Sequence, residues 1–167
     1  GKATSRILAS EGAQLVAVDV NTRALATLAE EIDSAGGNIS TIEANVLESQ
    51  PVEGLVDSVV STFNRIDILV NAVGGSTIIE NSAATVDNLT LEDWDKVIQF
   101  NLRGTFLCTN AIIKQMKKQR NGKIVNISSD AAHSIGYPNS AYVAAKAGIM
   151  AFTKKVAREA GPYGVTC

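Results

Sequence analysis

Apolar positions along the chain switch repeatedly between strand-like runs and helix-like stripes, the pattern of an alternating α/β fold. Residues 2–11 read as a helix with Ile7 and Leu8 turned inward. Gln14 to Val20 is a short, nearly continuous apolar run, as expected of a buried parallel strand. Leu25, Leu28, Ala29 and Ile32 then recur at helical spacing and stop before Gly36-Gly37. Ile39 to Ala44 predicts the next strand. Val52, Leu55, Val56, Val59, Val60 and Phe63 form the cleanest helical stripe, and Ile66 to Val73 predicts another buried strand.

A long link follows, Gly74 to Leu89, and its length makes it a functional candidate. Thr90 is placed to cap the next helix, with Asp93 three residues on. That helix carries Trp94, Val97, Ile98, Leu102 and Phe106 as its apolar stripe. Lys123 to Ser128 reads as a strand, Asn139 to Ala160 as a helix, and Val165 onward as the start of a strand.

Three polar residues break the apolar stripes. Asn101 falls on the inward face of its helix, and Tyr142 and Lys146 share a stripe with Ile149, Phe152, Thr153 and Val156. Buried polar groups are costly without partners, so three of them on two helices predict one convergent polar site. Tyr142 and Lys146 are one helical turn apart in Tyr142-Val-Ala-Ala-Lys146. A cation beside a phenol favours the phenolate, which suits an acid/base catalyst. The pair alone decides little, since chance supplies one in about one such chain in six.

Composition narrows the classes. The 167 residues are 46% hydrophobic and 19% charged, with a net charge of −2, as in an ordinary globular domain. No basic patch points to nucleic acid, and no apolar run is long enough to span a membrane. Cys108 and Cys167 fit neither a metal site nor a disulfide framework, which favours a reducing cytoplasm. The chain opens on Gly-Lys-Ala and closes on Val-Thr-Cys, so an internal piece of a longer protein is expected.

The segments Gly1-Lys-Ala, Val18-Asp-Val-Asn21 and Asp67-Ile-Leu-Val-Asn-Ala-Val-Gly74 are followed by Asn101-Leu-Arg-Gly104, Gly122-Lys-Ile-Val-Asn-Ile-Ser-Ser129 and Tyr142-Val-Ala-Ala-Lys146. In order and spacing they resemble the short-chain dehydrogenase/reductases, in the compact single-domain branch, over essentially the whole chain. The resemblance implies one Rossmann-type domain over 1–167, with a doubly wound parallel sheet of order 3-2-1-4-5-6-7 that is incomplete here. The strand implied between those at 14–20 and 66–73 is absent, which leaves a split sheet. It implies Tyr142 as acid/base, Lys146 holding the ribose and lowering the tyrosine pKa, and Ser129 bonding the reacting oxygen. Asn101 would support a water-linked proton relay.

For the cofactor, the resemblance implies contacts from Gly1, Asp19, Asn45, Val46, Asn71, Gly74, Tyr142 and Lys146. A carboxylate at Asp19 accepts from ribose hydroxyls and repels a 2′-phosphate, so NAD is favoured over NADP. Ala72 stands where the family has a second asparagine tying the central strands, which weakens that contact. His133 and Tyr137 lie in the loop beside the substrate, Tyr137 as a possible pocket wall. The implied partner is a small alcohol or ketone, with a 3-oxoacyl-thioester as the leading specific substrate, in a homotetramer or homodimer packed through helices at 90–119 and 139–160. A silent nucleotide-binding scaffold or regulator is the alternative of another class. The 167 residues by themselves are expected to fold poorly and to bind no cofactor. Cooperative unfolding of that chain together with tight NAD(H) binding would overturn this expectation.

Overall fold

A computed structural model describes residues 1–134, 136–137 and 139–167. The chain divides into two compact units, Gly1–Thr62 and Phe63–Cys167.

The first unit holds α1 (Lys2–Ser10), β1 (Gln14–Asp19), α2 (Thr22–Ser34), β2 (Asn38–Glu43) and α3 (Ser49–Phe63). β1 and β2 pair in parallel from Gln14↔Asn38 to Asp19↔Glu43. Asn21 opens α2 by accepting from the Ala24 amide at 2.9 Å, and the predicted stripe of Leu25, Leu28 and Ile32 is buried with Ala9 and Ala17. The Lys2 ammonium and the Arg6 guanidinium clasp Glu31, tying α1 to α2 and holding that carboxyl below its ordinary range. Ile7, expected inward, is 62% exposed. One helical face can point at one core, and α1 spends its face on Leu8 and Ala9.

The second unit holds β3 (Ile68–Asn71), α4 (Leu91–Ile98), a π-helical turn (Gln99–Arg103), α5 (Gly104–Gln119), β4 (Gly122–Asn126), a short 3-10 turn (Asp130–Ala132), α6 (Ser140–Ala160), a second 3-10 turn (Gly161–Tyr163) and β5 (Val165–Thr166). The sheet is parallel in the order β3-β4-β5, with Ile68↔Lys123 and Gly122↔Val165 in register. The strands therefore form two separate parallel sheets, one in each unit, and the pairings within each follow the expected order. Among the described residues no helix is long and apolar enough to cross a membrane.

Two further expectations needed correction. β1 and β3 are edge strands of their own sheets and are only half-buried, and in β4 only alternate side chains, such as Ile124, are enclosed while Val125 is exposed. The helix from Thr90 was expected to run unbroken with Phe106 inside. A π turn at Gln99–Arg103 adds one residue to that turn and rotates everything after it. Thr105, Cys108, Thr109, Ile112 and Met116 consequently face inward, and Phe106 is 45% exposed. Burial pushes the Cys108 thiol up to about 11, so it stays protonated and unreactive.

Asn71 supplies a strand tie despite Ala72. Its amide donates to Asn126 Oδ1 across the sheet at 2.8 Å and to Thr109 Oγ1 on α5 at 3.2 Å. Asn126 in turn donates to Thr153 Oγ1 on α6 at 2.9 Å. One amide thus links two strands and, through a neighbour, both covering helices. Asn71→Ala would strip partners from enclosed oxygens and should cost about 1–3 kcal/mol, read as a lower urea midpoint of the intact gene product.

Candidate active site

The site in the second unit is organised around Asn101, which is fully buried in the π turn. Asparagine is a poor helix former because its amide competes for backbone groups. Here Nδ2 donates to Val97 O at 2.8 Å and to Gly75 O at 2.9 Å, while Oδ1 accepts from Gly75 N at 2.9 Å. The side chain therefore relieves the helix at its π turn and also pins the chain leaving β3. The main-chain oxygen of Asn101 accepts from Thr105 Oγ1 at 3.2 Å.

Lys146 lies on α6 with 3% exposure. Its ammonium donates to Ile127 O at 2.9 Å and sits 5.6 Å from the centre of the Tyr142 ring. No carboxylate pairs with it among the described residues. Burial lowers its pKa from the ordinary 10.5. Gly74 explains how the pieces fit. A Cβ there would lie 2.6 Å from Asn101 Oδ1 and 3.0 Å from Lys146 Nζ, and φ is +150°. Only glycine lets the strand exit pass both polar groups.

Tyr142 is half-buried and packs with Leu89 and Trp94 around a small core of Ile79, Val97 and Ala141. Asn139 sets the start of its helix. Fully buried, Asn139 accepts from Tyr142 N at 2.9 Å and donates to Ser82 O at 3.2 Å. The two adjacent serines divide their work. Ser128 Oγ donates to Lys146 O at 2.9 Å and is spent on α6, whereas half-buried Ser129 Oγ accepts from Ala131 N at 3.2 Å. No acceptor for the Ser129 hydroxyl proton is found among the described residues, which leaves Ser129 the serine able to donate.

The structure thus brings Asn101 and Lys146 against Gly74, with Tyr142 beside the lysine, while Ser129 follows the β4 exit and Asn71 is committed to the sheet. His133 is exposed at the end of the 3-10 turn. The remaining candidates lie in the first unit. Gly1 is exposed at the start of α1, and Val46 is half-buried. Asn45 closes a local turn, bonding Glu48 Oε1 at 2.7 Å and Leu47 N at 3.1 Å. Asp19 is the exposed last residue of β1, accepts from Asn21 N at 2.9 Å and is in register with Glu43. Gly75 and Asn139 were not singled out from sequence. Asn139 was findable from its N-cap spacing to Tyr142, but Gly75 acts through its peptide group, which no residue type announces.

Gly74→Ala should cost about 1–3 kcal/mol through overpacking against Asn101 and Lys146. Gly75→Ala, whose nearest new contact is Phe100 Cε1 at 3.8 Å, should be close to neutral; urea unfolding compares the two. The buried lysine gives a signed pH effect. Between its lowered folded value and 10.5 the unfolded chain holds a proton that the folded chain has released. Its destabilising contribution is therefore complete below that window and is relieved as pH rises through it. Lys146→Met should flatten this part of the stability–pH profile.

A family model described as short chain dehydrogenase matches residues 1–167. A 3-oxoacyl-[acyl-carrier-protein] reductase from Synechocystis is 43% identical over 99% of this chain and 66% of its own. The crystal structure of a short-chain dehydrogenase/reductase from Burkholderia xenovorans superposes with a TM-score of 0.93 at 32% identity, over 99% of this chain and 64% of that one. NAD+-bound xylitol dehydrogenase gives 0.92 at 32% identity, over 99% and 62%. The chain spans 62 to 66% of the length of the curated relatives it matches. With the α/β architecture of parallel strands and the Asn, Ser, Tyr and Lys positions in order, the chain belongs to the short-chain dehydrogenase family.

Proposed function

We propose that the protein is a nicotinamide-dependent alcohol dehydrogenase or ketone reductase in which Tyr142 is the acid/base. The observation that carries this reading is Lys146, a buried ammonium with no carboxylate partner among the described residues, held against a glycine and beside a tyrosine ring. A cation so placed is costly for folding and useful for chemistry, as perturbed groups in active sites are. Its Ile127 bond and the Asn101–Gly75 brace fix where it points.

The residues present suit the cofactor. The missing side chain at Gly74 lets the ammonium lie against the strand exit, and Lys146, with one donor spent on Ile127 O, has others to offer ribose hydroxyls. When bound, the nicotinamide supplies or accepts the hydride. Tyr142 gives its proton to the carbonyl oxygen during reduction, or takes the alcohol proton during oxidation. The Lys146 ammonium, 5.6 Å from the centre of the Tyr142 ring, places positive charge beside the phenol. Ser129 donates to the oxygen on which charge develops. Asn101 keeps Gly74 and Gly75 in place, with one Oδ1 lone pair left for a relay water.

NAD is the favoured cofactor, with NADP second. Exposed Asp19 suits ribose hydroxyls, and Glu43 in register with it adds negative charge that disfavours a 2′-phosphate. Gly1, Asn45 and Val46 complete this side of the reading, within a single Rossmann-type domain. The substrate is an alcohol or ketone, and the Synechocystis relative keeps a 3-oxoacyl thioester as a specific alternative. A cytoplasmic homo-oligomer fits the reading. The half-exposed Phe106, edge-on to Phe152 at 6.2 Å, offers apolar surface on the two helices expected to pack between subunits.

Tyr142→Phe in the intact gene product should lower turnover of alcohols and ketones by at least about 100-fold, the scale of a lost acid/base, in steady-state assays with NAD(H) and NADP(H). Equal turnover would remove Tyr142 as the proton donor. Asp19→Ala should relax discrimination against NADP(H) by about tenfold or more, read as the ratio of kcat/KM values for the two cofactors.

A further inference from the structure

Tyr137 and Ser76 are left unused by the chemistry above, yet they adjoin it. Their hydroxyl oxygens are 3.0 Å apart. The Tyr137 ring lies against Tyr142, centroids 5.1 Å apart and planes tilted by 34°. Tyr137 is 38% exposed and Ser76 is half-buried, so the pair borders solvent beside the proposed acid/base.

The Ser76 hydroxyl stands on held backbone. Ser76 directly follows Gly75, whose amide and carbonyl are both held by Asn101. Tyr137 lies two residues before Asn139, which is fully buried and bonded to Tyr142 N and Ser82 O. A mere clasp between the loop after β3 and the entry to α6 is already supplied by that buried Asn139 bond. A neutral, solvent-bordered hydroxyl pair adds little net stability to it.

We propose that Tyr137 and Ser76 form a polar lip that selects substrates carrying a second hydroxyl or keto oxygen next to the reacting carbon. This rests on the reading of Tyr142 as the acid/base, because the lip is defined by its position against that ring. Two hydroxyls can both donate and accept, as a neighbouring alcohol or carbonyl oxygen requires. Being uncharged, they offer no ionic preference for a carboxylate, phosphate or ammonium. The pair satisfies itself in the absence of substrate, so an analogue lacking the second oxygen leaves no orphaned group. Selectivity is therefore about tenfold, far below that of a site with unpaired buried donors.

The test compares 2,3-butanediol with 2-butanol in steady-state oxidation by the intact gene product, as wild type, Tyr137→Phe and Ser76→Ala. The wild type should favour the diol in kcat/KM by about tenfold. In each variant that ratio should fall toward one, chiefly through KM for the diol, because the diol loses contacts that the mono-alcohol never makes. A wild type that does not favour the diol overturns the proposal. So does a ratio preserved in both variants while both substrates decline together, the signature of a structural clasp. Tyr142→Phe separates the two readings: activity retained there with either alcohol overturns the acid/base assignment, whereas the lip is read from the ratio at residues 137 and 76.

Discussion

The candidate site depends on one buried amide. The Asn101 side chain makes three hydrogen bonds, to Val97 O and to both main-chain polar groups of Gly75. Burying an amide without partners would cost several kcal/mol on apolar-transfer scales, so the surrounding backbone must come to it. The helix answers with a π turn and the chain leaving β3 answers by lying against the helix. That approach brings Gly74 to Lys146, and the lysine to a backbone carbonyl rather than to an acid. Geometry that suits proton chemistry follows from satisfying a single side chain.

Much of this was legible in the residues. Helical spacing marked the faces of α2 and α6, and Asn101, Tyr142 and Lys146 stood out because polar groups on apolar stripes need a reason. Thr90 was readable as a cap, and its hydroxyl does accept from Asp93 N at 3.1 Å. The failures have physical causes as well. A π turn changes helical phase without changing composition, so Phe106 read as inward and is not. Periodicity marks a strand as apolar but is blind to its neighbours, so β1 and β3 read as buried although each is an edge of its own sheet.

The less legible part lies in peptide groups. Gly75 contributes through N–H and C=O alone, and Ile127 holds Lys146 through its carbonyl. No residue type signals such roles. Asn71 shows the converse. Ala72 has no side-chain amide to tie the strands, but the neighbouring amide of Asn71 reaches Asn126 and Thr109. A deficit at one position can thus be met by the next side chain along.

The Asn101 brace also bears on how such a chain can change over time. Because it grips the main chain of residue 75, the anchor is indifferent to the side chains that follow. Residue 76 can be rewritten without loosening that brace, whereas Ile79 and Leu89 further along the loop belong to the packing around Tyr142. The brace and the side chain next to it are therefore separately mutable parts of one short stretch, and drift at the second leaves the first intact.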